Sequence, residues 1–97
     1  MTSKQRAYLK SLAMTMEPIL QIGKFGITPE NTASVAEALE ARELIKINVL
    51  QNCMEDPKAL GQMLAERTSS QVVQVIGKKI VLYKEGKNEK KKIQLPR

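Results

Sequence analysis

Gly23-Lys24-Phe25-Gly26 is the segment whose residue types and spacing can do chemistry, and that chemistry is the holding of a phosphate chain. Glycine lets a backbone turn with positive φ and lets a ligand approach with no Cβ in the way. Lys24 adds a full charge at the tip. Thr28-Pro29-Glu30 follows at once, with a capping hydroxyl, a proline for the first turn and an acid favoured by the helix dipole. The first amides of that helix carry partial positive charge and suit an anionic group. Taken alone, the same pattern also describes an ordinary tight turn with a glycine at each end. It is neither a dinucleotide fingerprint nor a P-loop, because the additional glycine and the Lys-Ser/Thr pair are missing. Phe25 can stack on a base or pack on the domain's own surface. Tyr8 and Tyr83 are the other aromatic residues, too few for a multi-base stacking platform. Tyr83 is expected to pack in the core with an exposed hydroxyl, and any nucleic acid to be held mainly through backbone and shape.

Enzymatic chemistry has little to stand on. The chain contains no histidine and a single cysteine, Cys53. The commonest general base near neutral pH is therefore missing, the thiol has no imidazole to activate it, and the usual nitrogen and sulfur ligands of a zinc site cannot be assembled. No spacing suggests serine–lysine or carboxylate-pair catalysis. Cys53 reads as a half-buried thiol at a strand end. These features predict a protein that is not an enzyme and uses no metal or other cofactor.

The elements that must position the turn follow from periodicity. Residues 3–16 read as a helix, with Leu9, Leu12, Ala13 and Met16 on its buried face, Ser3 as N-cap, and Lys4, Arg6 and Lys10 turned away from that face. Ile19-Leu20-Gln21-Ile22 is a short strand leading into the glycine turn. In the helix begun by Thr28, Val35, Ala38 and Leu39 point inward while Glu37, Glu40 and Glu43 form a solvated face. Residues 44–50 alternate as a strand that includes Lys46. Asp56-Pro57 starts a third helix lined by Ala59, Leu60, Met63 and Leu64, with Met54, Met63 and the other methionines as core filler. Gln71–Ile76 and Lys79–Tyr83 are joined by Gly77-Lys78 as a hairpin. The order α-β-α-β-α-β-β predicts an α/β domain with a mixed four-stranded sheet and helices packed against it. Residues 1–84 are expected to form the domain. Residues 85–97 are expected to be a basic, mobile tail that the fold can lose, although Ile93-Gln94-Leu95 can add a short edge strand.

Ninety-seven residues suit one core. The formal charge of +6 is unevenly spread: residues 1–28 carry a net +3, residues 29–83 a net −1, and residues 84–97 a net +4. Basic ends around a balanced middle point to a polyanionic partner or to a tail kept for solubility, and charge alone does not choose between them. No apolar stretch approaches the ~20 residues of a spanning helix. With no apolar leader behind the basic N-terminus and no second cysteine for a disulfide, the chain is expected to be cytoplasmic.

Four segments together resemble the CRM domain, whose short bacterial members are called YhbY-like: Lys4-Gln5-Arg6-x-Tyr8-Leu9-x-Ser11-Leu12-Ala13, Gln21 through Thr28, Ala38-Leu39-Glu40-x-x-Glu43-Leu44-Ile45-Lys46, and Val75-Ile76-Gly77-Lys78-x-Ile80-Val81-Leu82-Tyr83. The resemblance runs to the closing Leu95-Pro96-Arg97. It implies a compact domain similar to the C-terminal domain of translation initiation factor 3. It implies RNA binding through Gly23, Lys24, Phe25 and Gly26 with the neighbouring basic residues Lys4, Arg6, Lys10, Lys46, Lys78 and Lys79. Lys87, Lys90, Lys91 and Lys92 would add contacts from the tail. For a free-standing chain of bacterial size it implies ribosomal RNA in precursors of the large subunit as the partner. The sequence does not give the oligomeric state, and a monomer is favoured. A general RNA chaperone or RNA-binding translational regulator, and a basic module for an acidic protein partner, remain as alternatives. Phe25 departs from the family, where a polar or small residue is more usual.

Overall fold

The computed structural model describes residues 1–86 together with Ile93, Leu95 and Pro96. Helix α1 spans Ser3–Ala13, strand β1 Leu20–Ile22, α2 Pro29–Arg42, β2 Leu44–Val49, α3 Pro57–Thr68, β3 Gln71–Ile76 and β4 Lys79–Tyr83. Each helix begins where a side chain can satisfy its open amides. Thr2, rather than Ser3, caps α1 and forms a reciprocal capping box with Gln5; Thr28 does the same with Asn31, and Asp56 accepts from the Lys58 amide. Helix α1 stops at Ala13, short of the residue 16 expected from the spacing.

The sheet order is β1-β2-β4-β3. β1 and β2 are parallel, and β4 runs antiparallel to both β2 and β3. The predicted mixed four-stranded sheet is therefore present, with β4 inserted between two strands of like direction. Alternation along the strands sends side chains to two cores. Ile45, Ile47, Val49, Ile80 and Leu82 meet Val35 and Leu39 of α2 and Leu60 and Leu64 of α3. On the other face Leu44, Val73, Val81 and Tyr83 meet Leu9 and Ala13 of α1. Cys53, expected to be half-buried, is fully enclosed in the first core.

Several side chains depart from the periodic reading. The inner stripe of α3 is Leu60, Gly61, Leu64, Ala65 and Thr68, so Ala59 and Met63 face outward. Met14 and Met54 are exposed and fill no core. Glu43, expected on a solvated helix face, is completely buried. Its carboxylate accepts from the amides of Gly86 and, at 2.7 Å, Ile93. Ile93 and Leu95 pack against the second core, and the Gln5 amide donates to the Pro96 carbonyl at 3.1 Å. Among the described residues no strand follows β4. The chain beyond residue 85 thus touches the domain at those positions.

Tyr83 is buried with its hydroxyl, which has no hydrogen-bond partner among the described residues. Burial, then the charges of Glu43 and Glu85, push its pKa up to about 12. The neutral phenol is thus the form the fold prefers. Its contribution is fully present below the unfolded value near 10 and is lost as pH rises through 10 to 12, a loss of at most about 3 kcal/mol. Denaturant melts should show this alkaline loss in the native chain and lose that share of it in Tyr83→Phe. At pH 7 that variant should be equal in stability or up to ~1 kcal/mol more stable, because it removes an unpaired buried hydroxyl.

Candidate nucleic-acid interface

Three connections meet at one end of the sheet: the turn after β1, the loop after β2, and the β3–β4 turn. Their backbones are tied together. The Leu50 amide donates to the Ile22 carbonyl at 2.8 Å, and the Val49 amide to the Lys78 carbonyl at 2.7 Å. Gly23-Lys24-Phe25-Gly26 closes as a turn through the Gly26 amide and the Gly23 carbonyl at 3.0 Å. Asn31, the capping-box residue of α2, donates from Nδ2 to the Gly26 carbonyl at 3.0 Å, while its Oδ1 accepts the Thr28 amide at 2.7 Å. One side chain therefore fixes both the loop exit and the helix start. Sequence reading used Thr28 and missed Asn31, whose signal is its place three residues after the cap.

The two glycines do different jobs. Gly26 is buried and has φ of +67°, and a Cβ there would collide with the Glu55 carboxylate. Gly23 is outside the left-handed region, and a Cβ would make only ordinary contacts with Leu50 and Asn52 at 3.7 and 3.9 Å. Gly26→Ala should therefore cost about 1–2 kcal/mol in a denaturant melt, from backbone strain and displacement of Glu55, while Gly23→Ala should cost under ~0.5 kcal/mol. Equal costs would show that the turn does not need the left-handed residue. These contacts also set residues 50–55 alongside 23–26, with Asn52 beside Gly23 and Glu55 against Gly26.

The hairpin turn brings two more cations to the same end. Gly77 has φ of +55° and Lys78 does not have positive φ, the pattern of a type II′ turn. Lys78 and Lys79 are exposed, and the Lys79 ammonium donates to the Asn48 amide oxygen at 2.8 Å. Lys24 is exposed at the glycine turn, with its ammonium 5.1 Å from the centre of the Phe25 ring. The structure thus assembles Gly23, Lys24, Phe25, Gly26, Lys78 and Lys79 at one end of the sheet.

The other sequence candidates lie elsewhere. Lys4 and Lys10 are exposed on α1, and Lys46 is half-buried on β2. Lys46 shares its strand parity with Leu44 and so belongs to the face that α1 partly covers. Arg6 has a structural task. Its guanidinium donates to the carbonyls of Val72 and Val73 at 2.6 and 2.7 Å, where the β3–β4 register shifts between Val72 and Gln74. A bulge disturbs the ladder locally, and Arg6 satisfies carbonyls there while pinning α1 to β3. Lys87, Lys90, Lys91 and Lys92 lie outside the described residues. Among the described residues no cluster of His, Cys, Asp or Glu could hold a metal, and no helix is long and apolar enough to cross a membrane.

Known proteins resemble the chain over its whole length. The chain is 51% identical over 96 residues to the Bacillus subtilis protein named "Probable RNA-binding protein YqeI", with 99% of each chain covered. It is 35% identical over 97 residues to a Haemophilus influenzae protein named "RNA-binding protein", covering 100% of this chain and 96% of that one. The solution structure of the hypothetical protein SAV1595 from Staphylococcus aureus superposes with a TM-score of 0.83 at 51% identity, over 99% of both chains. The model of the CRS1 / YhbY (CRM) domain matches residues 1–84, and those residues include both cores and every connection at the basic end of the sheet. The chain belongs to the CRS1 / YhbY (CRM) domain family.

Proposed function

We propose that this RNA-binding member of the CRM family binds ribosomal RNA in cytoplasmic precursors of the large ribosomal subunit and assists their assembly without catalysing a reaction. The observation that carries the reading is the convergence of the Gly23–Gly26 turn with Lys78 and Lys79 at one end of the sheet. Lys24 and the two hairpin lysines present full charges there. Such a surface suits successive phosphates of a folded RNA. The family resemblance supplies the ribosomal partner, and the names carried by the relatives agree with RNA as its chemical class.

Crosslinking in cells, followed by sequencing of the bound RNA and co-sedimentation on ribosome gradients, tests this directly. Crosslinks should concentrate in large-subunit ribosomal RNA, and the protein should travel with precursor particles. Crosslinks spread over messenger leaders or unrelated transcripts would instead identify a translational regulator or a general RNA chaperone. Recovery of protein alone, with no RNA, would favour an acidic protein partner.

A further inference from the structure

We infer that Phe25 is a stacking residue for an unpaired base, so that the site takes single-stranded or looped RNA rather than a continuous duplex. This inference rests on the reading of the glycine turn as an RNA contact. From sequence, Phe25 can pack on the domain or face a ligand, and the structure removes the first option: the side chain is 80% exposed. Burial therefore does not account for a large apolar ring at this turn. Met54 is 92% exposed on the loop that runs beside the turn, and Ile76 is 61% exposed where β3 enters the hairpin. Exposed apolar side chains grouped at one end of a domain mark a contact surface.

The surrounding charge indicates the occupant. Lys24 lies over the ring, and Lys78 and Lys79 stand at the neighbouring turn. An apolar surface framed by cations suits a ligand that alternates flat apolar groups with negative charges, and an unpaired nucleic acid strand has that alternation. A base can stack on Phe25 while its phosphates meet the ammoniums of Lys24, Lys78 and Lys79. In a continuous duplex the base faces are already covered by their neighbours, so the ring would find nothing to stack on.

Phe25→Ala, Phe25→Leu and Phe25→Tyr should be compared on a short single-stranded RNA carrying 2-aminopurine and on the same RNA annealed to its complement. The alanine variant should bind the single strand roughly tenfold more weakly, with five- to hundredfold as the range for one stacked base. Tyrosine should stay within about twofold of phenylalanine, and leucine should fall toward alanine. Quenching of the 2-aminopurine should be seen with Phe and Tyr and lost with Ala. Duplex binding and the salt slope should be the same for all four proteins, because the phosphate contacts are unchanged. Unaltered single-strand binding by Phe25→Ala, full rescue by leucine, or an equal loss on duplex would overturn the inference. The first of these would leave Phe25 to a protein partner. Failure here on model RNAs leaves the ribosomal assignment to the crosslinking profile of the native chain, so the two can fail separately.

Discussion

Replacing Gly23 by aspartate and Lys24 by glutamate together is expected to lower RNA affinity by on the order of a hundredfold or more, while the fold loses no more than ~1 kcal/mol. The two effects separate because the turn does not carry the core. Gly23 is outside the left-handed region, and an added side chain meets Leu50 and Asn52 only at ordinary distances. Lys24 is exposed. RNA, in contrast, would meet a carboxylate in place of the Lys24 ammonium and a second carboxylate added beside it at residue 23. Like charges placed face to face at an interface cost several kcal/mol, and every 1.4 kcal/mol is a factor of ten in affinity. Neutral Lys24→Ala should do much less. It removes one phosphate contact and should reduce the slope of log K against log salt by about 0.7 on single strands. Thermal melts must accompany each titration, since an unfolded protein also fails to bind. A folded double variant that still joined precursor particles normally would take the turn out of the site and leave α1, with Lys4 and Lys10, as the next surface to test.

That contrast between turn and core was partly legible in the residues. Thr28-Pro29 and Asp56-Pro57 announced two helices because capping and proline are local signals, and the strands were readable because their alternation is local too. Readings that needed the third dimension went astray. In α3 the stripe is rotated by one residue because Gly61 packs directly on the sheet, where a Cβ would stand 3.3 Å from Ile80 Cγ2. A hydrophobic pattern gives glycine no weight, so it selected Ala59 and Met63 instead. Arg6 looked like a free surface cation because its acceptors, the carbonyls of Val72 and Val73, lie far away in sequence. The basic end of the sheet could be composed from sequence as a set of residues. Its assembly required the β1-β2-β4-β3 order, which places the turn after β1 and the β3–β4 turn at the same end. Phe25 was visible as an aromatic residue in the turn, while its exposure could be read only from the fold.

Glu43→Ala is expected to produce the largest loss of stability among single polar substitutions, about 2–4 kcal/mol, and this is where the periodic reading was furthest from the molecule. The reading continued α2 one residue too far and so left Glu43 on the solvent side. The helix ends at Arg42, and Glu43 takes φ of +65° and ψ of −42°, a conformation strained for any residue with a side chain. That twist turns the carboxylate inward, where its two oxygens accept from the Gly86 and Ile93 amides while its own carbonyl accepts from the Lys84 amide at 2.8 Å. One residue thus holds the chain on both sides of residues 87–92 and keeps Ile93 and Leu95 against the core of Tyr83 and Leu9. Alanine keeps the strain and abandons two part-buried amides, each worth about 1–3 kcal/mol when left unpaired, less whatever water can recover. Glycine should be less harmful than alanine by about 1 kcal/mol, because it relieves the backbone while losing the same acceptor. Glutamine should fall between alanine and the native chain, since its amide keeps one acceptor oxygen and turns a donor toward the other amide. Ending the chain after Lys84 should destabilise the protein, and Glu43→Ala should add little to that loss, because both changes remove the same contacts. Denaturant melts of the four variants and of the double mutant measure each of these terms. Full additivity of truncation and Glu43→Ala, or a glutamine variant as stable as the native chain, would show that the carboxylate does not anchor the returning segment.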